Sequence, residues 1–299
     1  MTYPYEIYDV FTEVALGGNP LAVVHGADGF SDERMQAVAR EFNLSETVFV
    51  LPAEEGHTAR VRIFTPGGEL PFAGHPTVGT AIAVARRDGI DALGQGIVTL
   101  EEGVGPVRCG VRFDEAGAFA EFDLPVASRP VGDGPPAVEL ARLLNIGGAE
   151  IGFENHMPGI WDGGVPYTLV PVRDPLIAGE VRLDAAAWLA TAPRVNGIIA
   201  DLYVYTRGPE TGTFHARMFG PSHGISEDPA TGSAVAALAG ALVHYDKPMD
   251  GTATVTIAQG IEMGRPSRIA LEMEIEGGEL TGGRIGGHAV RVASGELYL

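Results

Sequence analysis

Two stretches decide the fold: RVRIFTPGGELPFAGHPTVGTAIAVA at residues 60–85 and FHARMFGPSHGISEDPATGSAVAALAG at residues 214–240. Each opens with an alternating strand pattern, in which Val61, Ile63 and Phe64 match Ala216, Met218 and Phe219, and each then enters a Pro/Gly turn. A titratable residue, a proline and a run of small residues follow. His75-Pro76-Thr77-Val78-Gly79-Thr80-Ala81 aligns with Asp228-Pro229-Ala230-Thr231-Gly232-Ser233-Ala234. Such self-similarity marks an internal duplication and predicts two related halves.

Proline suits the first helical position, where its missing N–H would have no partner, so the spacing predicts His75 and Asp228 at or beside two helix N-caps. The helices that follow, through Ala81-Ile82-Ala83-Val84-Ala85 and Ala234-Val235-Ala236-Ala237-Leu238, are apolar on nearly every face. They therefore read as the central helices of two pseudo-symmetric domains, each wrapped by sheet. A buried helix with an open N-terminus offers unpaired N–H groups to an anion, and two such ends would hold a carboxylate. One copy alone would be a good core helix and no more; two, each preceded by a titratable residue, favour function.

Working outward, SDERMQAVAREF predicts an amphipathic helix capped by Ser31, with Met35, Val38, Ala39 and Phe42 on one face. Short helices are expected at Leu140–Leu144 and Ala185–Leu189. YEIYDVF, LAVVHG, GIVTLEE, AFAEFDL, ATVTIAQG, RIALEMEIE and GELYL read as strands, and the glycine pairs of GGELTGGRIGGH as hairpin turns. The fold class expected is α+β, with domains at residues 1–127 and 128–299, a link around Pro130–Pro136, and a last strand able to return to the first domain.

The chain has 299 residues and a formal charge of −19, which repels phosphate backbones and acidic lipid surfaces. Neither nucleic acid nor membrane is expected as a partner. MTYPYEIYDV lacks the basic start and apolar run of a signal peptide, so a cytoplasmic location is expected. The single cysteine, Cys109, excludes an internal disulfide and any two-thiol mechanism, and its place in VRCGVRF makes it a core-facing strand residue. HExxH, HxH, GxGxxG before a helix, GxxxxGKS/T and GxSxG are absent, so no metal and no cofactor is expected.

Glu46, in NLSETVFVLP, alternates with Val48 and Val50. On an inner face its carboxyl would be desolvated and suited to taking and returning a proton near neutral pH; on a strand edge it would be solvated. His75 is either a proton donor kept neutral by its helix or a packed structural histidine. Asp228 is either an N-cap or a carboxylate that orients an amine or shares a proton with Glu46.

NLSETVFV, RIFTP, ELPFAGHPTVGTA, EDPATGSA and QGIEMGRPS together resemble the PhzF-like phenazine-biosynthesis family, in order and over nearly the whole chain. The resemblance implies a diaminopimelate-epimerase-like fold of two similar domains, with the active site between them and usually a homodimer. Epimerases of that fold carry a cysteine at the start of each central helix; here those regions hold His75 and Asp228. By the family's pattern Glu46 is the proton shuttle, His75 and Asp228 assist it, Gly232 and Ser233 hold the substrate carboxylate, and Ser45 and Gly74 complete the substrate site. The implied activity is a cofactor-independent isomerase acting on a small carboxylate metabolite, such as trans-2,3-dihydro-3-hydroxyanthranilate or a related cyclic compound. A non-catalytic carboxylate-binding or scaffold protein, and a lyase or dehydratase using the same groups, are the alternatives.

Overall fold

A computed structural model describes residues 1–89, 94–115 and 117–299. The chain divides into two compact units, one of Met1–Asp123 with Gly286–Leu299 and one of Leu124–Ile285.

The first unit contains β1 (Thr2–Val10), β2 (Asn19–His25), α1 (Asp32–Phe42), β3 (Glu46–Leu51), β4 (Ala59–Phe64), β5 (Glu69–Leu70), α2 (Gly74–Arg87), β6 (Gln95–Glu102), β7 (Gly105–Asp114) and β8 (Gly117–Asp123). Its sheet is mixed: β2–β3 and β4–β6 are parallel, whereas β1–β2, β3–β4, β6–β7 and β7–β8 are antiparallel. The chain's last strand pairs with both β1 and β8, which closes these strands into a ring. Inside it α2 packs on β1, β2, β3, β6, β7 and β8, and every residue from Gly74 to Ala85 is buried. That enclosure is what its all-round apolar surface requires. On the outer side, α1 lays Met35, Val38 and Ala39 against Phe49 and Phe64, with Ser31 as its N-cap.

The second unit runs β9 (Arg129–Asp133), α3 (Ala137–Leu144), β10 (Gly159–Asp162), β11 (Pro166–Pro171), α4 (Pro175–Glu180), α5 (Ala185–Thr191), the hairpin β12–β13 (Arg194–Val195 and Ile198–Ile199) and β14 (Asp201–Arg207). It continues with β15 (Thr213–Gly220), β16 (Ile225–Asp228), α6 (Gly232–Asp246), β17 (Gly251–Gln259), β18 (Ser267–Glu276) and the start of β19 (Glu279–Tyr298). Its sheet is also mixed, with β11–β14 and β15–β17 parallel. Helix α6 packs on β9, β10, β11 and β18. A separate core gathers α3, α4 and α5 around the fully buried Trp188.

Several local expectations need correction. The segment around Pro130 expected as a link is strand β9, paired with β10. Of the glycine pairs at 277–287 only Gly277-Gly278 makes a turn, both at positive φ; the others lie inside β19. Neither proline begins a helix. Pro76 is the third residue of α2, and Pro229 precedes α6, whose N-cap is Thr231. The missing N–H costs nothing anywhere in the first turn, so proline marks that turn without fixing its first residue.

Candidate active site

Glu46 begins β3, beside Leu21 of the parallel strand β2, and is 8 % exposed. All six residues of β3 are buried, so the strand has no solvent face for a glutamate to occupy. His75 stands at the second position of α2 rather than at its cap and is 4 % exposed. Its Nε2 lies 3.2 Å from Glu46 Oε2, a separation of ion-pair range without the alignment of a hydrogen bond. Burial pushes the imidazole down to about 3, so it is neutral at physiological pH. A neutral imidazole facing a carboxyl can accept its proton or donate one, and catalytic contacts are commonly loose before substrate arrives.

The first turn of α2 is held from below. Thr77 Oγ1 donates to Glu102 Oε1 at 2.7 Å and lies 2.7 Å from the Ala73 carbonyl oxygen. Glu102, at the end of β6, is buried, and burial pushes its carboxyl up to about 8. The N-cap Ala73 supplies no side-chain bond, so the N–H groups of Gly74 and His75 keep the orphan status of a helix start. Ser45 is half-buried, immediately before β3.

In the second unit Asp228 ends β16 and is buried. It is not the N-cap of α6; it accepts instead from the hydroxyl of the true cap, Thr231, at 2.5 Å. Thr231 makes no side-chain bond to its own helix, so the first turn of α6, with Gly232 buried and Ser233 half-buried, also starts uncapped. The Ser233 hydroxyl is 2.8 Å from the Tyr167 hydroxyl. Gln259, fully buried at the end of β17, donates to the Asp228 carbonyl oxygen at 2.8 Å and to Thr231 Oγ1 at 3.0 Å. Thus Glu46, His75, Ser45 and Gly74 belong to the first unit, and Asp228, Gly232 and Ser233 to the second.

Sequence reasoning missed Glu102, Thr77, Thr231, Tyr203 and Gln259. Glu102 sits in a segment whose only visible signal is strand alternation, and Gln259 in one that marks family membership without assigning a role. Among the described residues one cluster, Glu154, His156 and Asp246, has donor atoms close enough for a metal. Arg207 donates to both of its carboxylates, at 2.8 and 2.5 Å, and fills that place with its own charge. Cys109 is fully buried in β7, where burial pushes its thiol above the usual range. No described helix is long and apolar enough to cross a membrane.

Residues 8–295 match the family model PhzC-PhzF, phenazine biosynthesis-like protein. An "uncharacterized isomerase" of Mesorhizobium japonicum is 51 % identical over 302 residues, covering 100 % of this chain and 99 % of its own. The trans-2,3-dihydro-3-hydroxyanthranilate isomerase of Pseudomonas aeruginosa is 34 % identical, with 99 % of each chain covered. The crystal structure of a PhzF-family phenazine biosynthesis protein from Bacillus anthracis superposes with a TM-score of 0.87 at 25 % identity, covering both chains entirely. A hydroxyproline epimerase from Agrobacterium vitis shares the fold at a TM-score of 0.65 and 14 % identity, covering 99 % of this chain and 92 % of its own. The mixed-sheet architecture is thus that of PhzF and proline-racemase-like proteins. On this match, the chain belongs to the PhzC-PhzF, phenazine biosynthesis-like family and is an isomerase.

Proposed function

We propose that this isomerase moves a proton on a small carboxylate substrate, with Glu46 as the group that carries it. The observation that supports this most is the buried pair of Glu46 and His75, 3.2 Å apart at the first turn of an enclosed helix. Glu46 as carboxylate takes a proton from a carbon beside an electron-withdrawing group, becomes the acid, and, its carboxyl proton exchanging with solvent meanwhile, delivers a proton at another carbon. Atoms and charge balance without a second reactant. His75, neutral because it is buried, exchanges a hydrogen bond with Glu46 and spares the site a charge change. By the family's pattern Ser45 and Gly74 of the first unit and Gly232 and Ser233 of the second serve the substrate carboxylate, and the orphan N–H groups at each helix start suit that role and the negative charge that develops as the proton leaves. Asp228 orients a hydrogen-bond donor of the substrate.

Relatives named for trans-2,3-dihydro-3-hydroxyanthranilate make that compound, or a related cyclic carboxylate, the first substrate to test. The two units are, in this reading, the pseudo-symmetric domains of an epimerase-like fold, each with its sheet curved around α2 or α6, and the working form is a cytoplasmic homodimer. Glu46→Gln keeps the shape of the side chain and removes the base. Turnover is expected to fall by about 10³-fold, within the range for a lost general base, while calorimetric binding of the carboxylate ligand changes little. Equal losses of binding and turnover would assign Glu46 to binding and sink the proposal.

A further inference from the structure

The hydrogen bonds behind Asp228 have a forced direction. Gln259 faces two backbone groups whose polarity is fixed: the Asp228 carbonyl oxygen, which can only accept, lies 2.8 Å from Nε2, and the Thr231 N–H, which can only donate, lies 3.4 Å from Oε1. Together they settle which end of the amide points where. The Tyr203 hydroxyl adds a donor to Oε1 at 3.0 Å; burial, and then the neighbouring Tyr167 and Asp228, raise its pKa well above the usual value, so it keeps its proton. The second hydrogen on Nε2 is then directed at Thr231 Oγ1, 3.0 Å away. With its oxygen accepting from Gln259, the Thr231 hydroxyl turns its own hydrogen to Asp228 Oδ2 at 2.5 Å.

Tyr203 and Gln259 are fully buried, and Asp228 and Thr231 nearly so, which keeps water from offering alternative partners. Gly260 follows Gln259 at φ +75°, and a Cβ there would lie 2.7 Å from the Pro229 carbonyl oxygen, so the end of β17 is seated tightly against the segment carrying Asp228.

We propose that Gln259 is a positioning residue which, through the Thr231 hydroxyl, fixes Asp228 as a hydrogen-bond acceptor. The inference rests on the reading of Asp228 as a site residue and sharpens it. A carboxylate whose Oδ2 always receives a hydrogen bond serves to orient a donor on the substrate, an amine or a hydroxyl, and the proton traffic is left to Glu46 and His75.

The test reads the carboxyl itself. Protein labelled with ¹³Cγ-aspartate is titrated by NMR, with Asp228→Asn identifying the Asp228 resonance. Thr231→Val, which removes no helix cap, should raise the Asp228 titration midpoint by about one pH unit, a tenfold gain in proton affinity, because a hydrogen bond to the charged form is lost. Gln259→Met, which keeps the length of the side chain and removes both donors without adding charge, should raise it also. Thr231→Ser, which keeps the hydroxyl, should restore the native midpoint, and unchanged melting temperatures exclude general loosening. An unmoved midpoint in both Thr231→Val and Gln259→Met would overturn the proposal. Failure of the underlying reading looks different: Asp228→Asn would then leave turnover of trans-2,3-dihydro-3-hydroxyanthranilate unchanged whatever the midpoints do.

Discussion

Glu102, at the end of β6, and His75, in the first turn of α2, respond to pH in opposite senses. Glu102 is 8 % exposed; one oxygen accepts from Thr77, and the other, Oε2, is buried with no hydrogen-bond partner among the described residues. Burial raises its pKa from 4.5 to about 8, so the folded protein holds a proton that the unfolded chain releases above 4.5. Its contribution to stability is therefore full below 4.5 and is lost as the pH rises through 8. His75 is depressed from 6.5 to about 3, so its contribution is present above 6.5 and is lost as the pH falls through 3. Glu102→Gln retains the acceptor for Thr77 and cannot ionise. Its melting temperature relative to the native protein is expected to climb between pH 5 and pH 9, and parallel curves would refute the assignment. Glu46, His75 and Asp228 could be singled out as candidates in the sequence because titratable residues stand out in non-generic motifs. Glu102 and Gln259 were not, because their roles come from burial and from partners far along the chain: Tyr203 and Gln259 are 56 positions apart.

At the scale of elements, periodicity read well wherever one face meets solvent. Helix α1 and its Ser31 cap are where the pattern put them. The enclosed helices α2 and α6 were recognisable as helices from their all-apolar surfaces, yet their starts were misplaced, because proline and a preceding titratable residue fit more than one position of a first turn. Their small residues are there for close approach. A Cβ on Gly240 of α6 would fall on the Ser128 carbonyl oxygen, and backbone cannot give way; one on Gly79 of α2 would meet Leu21 Cδ2 at 2.6 Å and Val10 Cγ2 at 2.7 Å, which are ends of movable side chains. Gly240→Ala is thus expected to cost about 1–3 kcal/mol in denaturant unfolding, and Gly79→Ala less. The reverse order would show that α6 is not packed as tightly as this.

The whole molecule carries a formal charge of −19, yet the proposed site is built to receive an anion. It does so locally, with helix-start N–H groups rather than with lysine or arginine. Family and α+β class followed from the duplicated motif and the conjunction of five non-generic segments. A return of the last strand to the first domain was expected, but its pairing with both β1 and β8 was beyond reach, because strand patterning gives no partner and β19 pairs with residues nearly the length of the chain away. The central claim, that Glu46 carries a proton from one carbon to another, is tested most directly in deuterated water. Chelator-treated native protein and Glu46→Gln are incubated with trans-2,3-dihydro-3-hydroxyanthranilate, and the product is weighed by mass spectrometry. The expected result is a product of unchanged composition that gains deuterium with the native protein and does not form with the variant. A product lighter by one water, or equal labelling by the variant, would contradict it.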